Sequence, residues 1–164
     1  MKIRPGQKAD MPSILELITE LAVFENDPSA VVITVGDLER DGFGNTPLFQ
    51  TFVAEADGKI VGMALYYFRY STWKGKTIHL EDLIVTEKFR NTGIGKQLYR
   101  AVIGQGQSEN VRRIEWNVLN WNQSAIDFYV RSGAIVKDDW LVVQMDEFGI
   151  NNYLSVNPQP NIDF

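Results

Sequence analysis

The period of apolar and polar positions changes along the chain, and each change marks an element. Ile14, Leu17, Ile18 and Leu21 fall at i, i+3, i+4 and i+7, with Glu16 and Glu20 on the other face, which predicts an amphipathic helix. Asp10 stands where it can cap that helix, and Pro12 falls in its first turn. Thr34 with Asp37 three residues later resembles a capping box and predicts a second, short helix ending by Gly42 or Gly44. Strand-like runs then take over. Phe49 to Glu55 and Lys59 to Phe68 read as strands joined by Asp57-Gly58, since both central positions of a type I′ turn need positive φ.

After a loop through Ser71, Trp73 and Gly75, the stretch Ile78 to Val85 reads as another strand. It carries Glu81-Asp82 in its middle, an anomaly for a buried strand. Strand alternation predicts that these two carboxylates point to opposite faces and do different jobs. Gly93 and Gly95 open a helix of about a dozen residues with Ile94, Leu98, Ala101 and Val102 inward, and Arg113 to Leu119 is a strand. Asn122 or Ser124 can cap the next helix, which presents Ile126, Tyr129 and Val130 and ends at Gly133 as its C′ residue. Two short strands fit Ala134 to Lys137 and Trp140 to Met145. Residues 147–164 show no sustained period and are expected to be extended or disordered. The order β, α, α, β, β, β, α, β, α, β, β predicts a mixed α/β domain around one sheet over residues 1–146, followed by a tail.

Composition narrows the class. A chain of 164 residues with 45% apolar content is the length of one ordinary domain. No apolar run approaches the roughly 18 residues needed to span a bilayer. The start, Met1 to Gly6, lacks the apolar segment of an export signal, so a cytoplasmic protein without membrane association is expected. The absence of cysteine excludes disulfides, a thiolate zinc site and a thiol-borne acyl intermediate. A net charge of −5 argues against nucleic acid as the main partner. His79, the single histidine, is expected to sit half-buried in its strand; alone it is poor evidence for a metal, and none is expected.

The segment Arg90-Asn91-Thr92-Gly93-Ile94-Gly95 lies between an apolar strand and a helix start. Backbone N–H groups there have no intrahelical acceptor, so the loop can bind an anion, with Arg90 or Lys96 adding ionic contacts. A dinucleotide-binding fingerprint would need a glycine where Leu98 stands. A P-loop would need one at Arg90 and a Ser or Thr at Gln97. A simple tight strand-to-helix turn is the plainer alternative for an isolated G-x-G.

The R-x-x-G-x-G pattern resembles the acetyl-CoA pyrophosphate loop of GNAT acetyltransferases. The resemblance extends over Leu80-Glu81-Asp82-Leu83-Ile84-Val85, Phe89 to Gly95, Trp121-Asn122 and Phe128-Tyr129-Val130-Arg131-Ser132-Gly133-Ala134. Asp41-Gly42-Phe43-Gly44 and Trp73-Lys74-Gly75-Lys76 are further matches. Together they are similar to the diamine (spermidine/spermine) and thialysine N-acetyltransferase branch, over roughly residues 1–146.

That resemblance implies the GNAT fold, a central, mostly antiparallel sheet flanked by about four helices. It also implies acetyl transfer from acetyl-CoA to a small-molecule amine by direct attack in a ternary complex, in a homodimer. Protein or peptide acetylation, or an idle acyl-CoA sensor, are the alternatives. An alkylammonium of pKa about 10.4 must lose a proton before it attacks, and the branch assigns that step to the residue matched by Glu81. Tyr129 matches the acid that protonates the departing thiolate; a packed core tyrosine is the other reading of it. The resemblance places the pantetheine arm along Leu83, Ile84 and Val85, with the Leu83 N–H at the developing oxyanion, and the pyrophosphate on Arg90 to Lys96, which includes Asn91, Thr92, Gly93, Ile94 and Gly95. Asn122 matches a pantetheine contact, or it caps its helix. Phe24, Glu25, Trp73, Glu81 and Asp82 match substrate-pocket positions, with Phe24 where a tyrosine is often found; Asp82 could equally pair with a backbone or basic group.

Overall fold

Asp57 and Gly58 both have positive φ, 50° and 74°, so their turn has the twist of the strands it joins. In the computed structural model, which describes residues 1–157, those strands are β2 (Gln50–Ala56) and β3 (Lys59–Ser71). With β1 (Lys2–Pro5), β4 (Gly75–Val85) and β5 (Ile114–Glu115) they make one sheet in the order β1-β2-β3-β4-β5. The first three pairings are antiparallel and β4–β5 is parallel. The chain divides into two units, Met1–Asn117 and Val118–Phe164, and the sheet belongs to the first.

Helices α1 (Met11–Phe24) and α2 (Val35–Phe43) supply one side of the core. Met11, Ile14 and Leu17 of α1 and Leu38 of α2 cluster with Val53, Met63, Leu65 and Ile84 of the sheet. The predicted capping box holds: Asp37 N–H donates to Thr34 Oγ1 at 3.2 Å, and Thr34 N–H donates to Asp37 Oδ2 at 2.9 Å. Asp10 takes its place before α1 but does not cap it. Its carboxylate accepts instead from the Gln7 N–H at 2.7 Å and from Arg4 at 2.7 and 2.9 Å, because a guanidinium fork outcompetes a single amide. Helix α3 (Ile94–Ser108) buries Ile94, Leu98, Tyr99 and Val102.

The strand predicted over Arg113 to Leu119 shrinks to Ile114–Glu115. Parallel pairing with β4 is limited to Ile78–Ile114 and His79–Glu115. The next residues of β4 carry a bulge, described below, and a bulge bends its strand away from a regular neighbour.

In the second unit, α4 (Gln123–Arg131) starts at Asn122, whose Oδ1 accepts from the Ala125 N–H at 3.2 Å. Gly133, φ 94°, ends it as predicted: Ala134 N–H donates to the Tyr129 carbonyl and Gly133 N–H to that of Val130, a Schellman pair. The strands predicted at Ala134 to Lys137 and Trp140 to Met145 are not formed. A strand needs an edge to pair with, and the unit contains none among its described residues. The tail departs the other way. Asp146 accepts from the Gly149 N–H at 2.7 Å and starts α5 (Glu147–Val156), a helix whose apolar residues follow no sustained period. The rest of the predicted tail, 158–164, lies outside the described residues.

Candidate active site

The loop before α3 is shaped by its backbone. Gly93 stands at the N-cap in the left-handed region, φ 87° and ψ 0°, and Asn91 has φ 63°. No side chain caps the helix, so the first N–H groups of α3 keep the electropositive end that favours an anion. The two glycines differ in cause. Gly93 is required by its own φ, which satisfies the plain turn reading. A Cβ on Gly95 would make only ordinary contact with Val85 Cγ2 at 3.7 Å, so nothing in the first unit demands glycine there. Thr92 is used locally, its hydroxyl donating to the Phe89 carbonyl at 2.6 Å.

Arg90 has partners within the first unit. Its Nε donates to the Val85 carbonyl at 3.0 Å, Nη2 lies 3.4 Å from Glu20, and the guanidinium sits 5.3 Å from the Phe24 ring centre. It therefore ties the loop to α1. Glu20, on the face of α1 away from its apolar stripe, also accepts from the Glu87 N–H at 2.9 Å.

The bulge in β4 settles the Glu81-Asp82 anomaly. Leu65 lies opposite Asp82 and Tyr66 opposite Leu80, so Glu81 is an extra residue without a partner on β3. Cross-strand partners share a face, which puts Asp82 on the side of Leu65, toward α1. His79, opposite Tyr67, is on that side as well. The expected opposition of the two carboxylates is thus overturned, because one inserted residue resets the alternation.

The electrostatics agree with that geometry. Asp82 is pushed up to about 6, first by burial and then by the charges of Glu81 and Glu25. Glu25, at the C-terminal end of α1, is itself raised by partial burial. Three carboxylates from two elements thus share one patch, and the charges of Glu81 and Glu25 make Asp82 harder to ionise. Such a patch is relieved by an incoming cation.

Around Glu81 stand two residues that had no part in the site as read from the sequence. The Tyr67 phenol is raised by burial, by the Glu81 charge and by its hydrogen bond to Glu81. His79 Nε2 is 3.5 Å from Glu81 Oε2. His79 is 8% exposed, deeper than predicted. The signal for Tyr67 was available, since it follows Leu65 at i+2 on the same face.

Past His79, the edge of β4 away from β3 pairs with no strand among the described residues. Leu83 and Val85 are half-buried and Ile84 is buried in the core. Trp73 is not brought to this patch within one chain. It is exposed at the tip of the β3–β4 hairpin, and the six residues from Gly75 to Glu81 span about 20 Å of strand.

In the second unit, Asn122 acts as the helix cap, the plainer of its two readings, which leaves its other polar atoms available. Tyr129 is half-buried on α4 with its ring 5.3 Å from that of Phe128.

The class that this fold and loop define is confirmed by comparison with known proteins. Residues 13–134 match the Acetyltransferase (GNAT) family, and the chain belongs to it: it is an acetyl-CoA-dependent N-acetyltransferase. It is 40% identical over 140 residues to a thialysine N-epsilon-acetyltransferase of Bos taurus, covering 80% of this chain and 82% of that one. It is 39% identical over 141 residues to the spermidine/spermine N(1)-acetyltransferase-like protein 1 of Homo sapiens, covering 82% of this chain but only 20% of that protein. Among solved structures, an integron cassette protein from the mobile metagenome of V. cholerae superposes with a TM-score of 0.76 at 22% identity, over 93% of this chain and 96% of that one. No helix among the described residues is long and apolar enough to cross a membrane.

Proposed function

We propose that this acetyltransferase acts on a primary amine of a small cationic substrate, a diamine, a polyamine or a lysine- or thialysine-like amino acid. The observation that carries the reading is the carboxylate patch of Glu25, Glu81 and Asp82 beside the β4 bulge. The names of the relatives support the same class.

In this reading the acetyl-CoA pyrophosphate rests on the backbone N–H groups from Gly93 to Lys96, and the pantetheine arm follows the open edge of Leu83 to Val85. Glu81 removes the ammonium proton directly or through water. The freed lone pair attacks the thioester carbon in a ternary complex, while the Leu83 N–H stabilises the oxyanion. Collapse breaks the C–S bond, and Tyr129 gives its proton to the thiolate. Glu25 and Asp82 hold a second cationic centre that does not react. The working form is a cytoplasmic homodimer. Its support is the exposed apolar run at Trp140 to Val143 and Met145, with Leu141 and Val143 each 90% exposed, which a second copy would cover.

The test is thiol release from acetyl-CoA with putrescine, spermidine, lysine and thialysine. Turnover with one of these and a rise in KM for the diamines in Glu25→Gln are expected. Failure with every amine would mark an idle binder, and an unchanged preference for diamine over monoamine in Glu25→Gln would remove the second-cation site.

A further inference from the structure

His79 lies in a line of polar groups that runs across the sheet and ends at Glu81. It is opposite Tyr67 on β3 and Glu115 on β5, with its ring 5.3 Å from that of Tyr67. Its Nδ1 is 3.2 Å from Arg69 Nη1. A guanidinium has only donors, so Nδ1 carries the lone pair and the ring proton is on Nε2. Nε2 is the atom that faces Glu81 Oε2 at 3.5 Å.

Arg69 is fixed in turn. Its Nη1 is 2.6 Å from Glu115 Oε1, and Arg113 Nε is 2.7 Å from Glu115 Oε2. The opposite tautomer would set N–H against N–H, and an imidazolium would add a second positive charge beside Arg69. The groups acting on the ring, Tyr67 and Arg69 from β3, Glu81 from β4 and Glu115 from β5, thus hold one neutral form. Burial, the largest influence, pushes His79 below the ordinary imidazole value, and Arg69 acts in the same sense; Glu81 and Glu115 oppose them.

We propose that His79 is a positioning residue: locked by Arg69 as the Nε2–H tautomer, it donates to Glu81 and orients that carboxylate to accept the proton of the substrate ammonium. It is neither the base nor a relay, because its one lone pair is occupied by Arg69. The proton leaves the substrate N–H bond for a Glu81 oxygen, the electron pair stays on nitrogen for attack, and His79 is unchanged. The separation of 3.5 Å is long, and contacts of this kind tighten when substrate is bound. The inference rests on Glu81 being the base.

The experiment therefore begins with Glu81→Gln. A large loss of kcat is expected; an unchanged kcat removes the base assignment itself, and the proposal with it. Given that loss, His79→Phe keeps an aromatic ring against Tyr67 without the N–H. It should lower kcat about tenfold, the scale of a hydrogen bond to a charged group, with KM for acetyl-CoA unchanged. Without its donor the Glu81 carboxylate binds a proton more tightly, so the acidic limb of kcat/KM should move to higher pH. His79→Gln, which can place an amide N–H near the Nε2 position, should recover most of the activity. In the Glu81→Gln background His79→Phe should add nothing. The imidazole ¹⁵N resonances of the wild-type chain, unambiguous with a single histidine, should show a protonated Nε2 and a bare Nδ1 throughout the active pH range. That measurement stands even if the variants fold poorly. A kcat within twofold in His79→Phe, an unmoved acidic limb, additive losses in the double variant or a protonated Nδ1 would overturn the proposal.

Discussion

Asp82→Asn separates the stability of the fold from the needs of its site. In the folded chain the Asp82 carboxyl is pushed from 3.8 up to about 6 by burial, Glu81 and Glu25. The folded form therefore holds this proton more tightly than the unfolded one. Raising the pH from about 4 to about 6 removes that proton at the folded state's expense, and the penalty stays in force above. The interval from 3.8 to about 6 corresponds to about 3 kcal/mol at neutral pH. An amide of the same shape carries no such charge. Urea unfolding of wild type and Asp82→Asn from pH 4 to pH 8 should show similar stability at the acid end and a growing advantage for the variant through the window. That advantage should level off near pH 7, while titrations of distant groups cancel in the difference. The gain should come with a higher KM for a diamine, because the charge that strains the fold is the one proposed to hold the substrate. A pH-independent difference, or a variant less stable than wild type at pH 7, would refute the reasoning.

Gly95→Ala should fold with an unchanged melting temperature yet bind acetyl-CoA more weakly by calorimetry, since its Cβ meets only ordinary contacts inside the first unit. Gly93→Asp should lose CoA affinity and also about 1 kcal/mol of stability from its left-handed φ. Tyr129→Phe should lower kcat roughly tenfold to a thousandfold with little effect on acetyl-CoA binding, as positioned acid catalysis implies; turnover within twofold would assign the acid elsewhere. Ile14→Ala, which empties a fully buried site in the α1 core, should cost about 2 to 5 kcal/mol in urea unfolding.

Local chemistry was legible in the sequence wherever the cause was local. The Asp57-Gly58 turn, the Thr34 box, the Gly133 stop and the tight glycine turn before α3 each follow from what one or two residues allow a backbone to do. The family followed from the Arg90 to Gly95 loop taken together with the Trp121-Asn122 and Phe128 to Ala134 matches. The tertiary structure decided whatever depends on a partner distant in the chain. Arg90 reaches Glu20, 70 residues away, and Asp10 is claimed by Arg4 before it can cap α1. A strand exists only where an edge accepts it, so Trp140 to Met145 stays unpaired and β5 stops after two residues. The extra residue at Glu81 has no signature in a local pattern, because a bulge is a mismatch between two strands. Only their pairing brought Glu81, Asp82 and His79 to one face of the sheet.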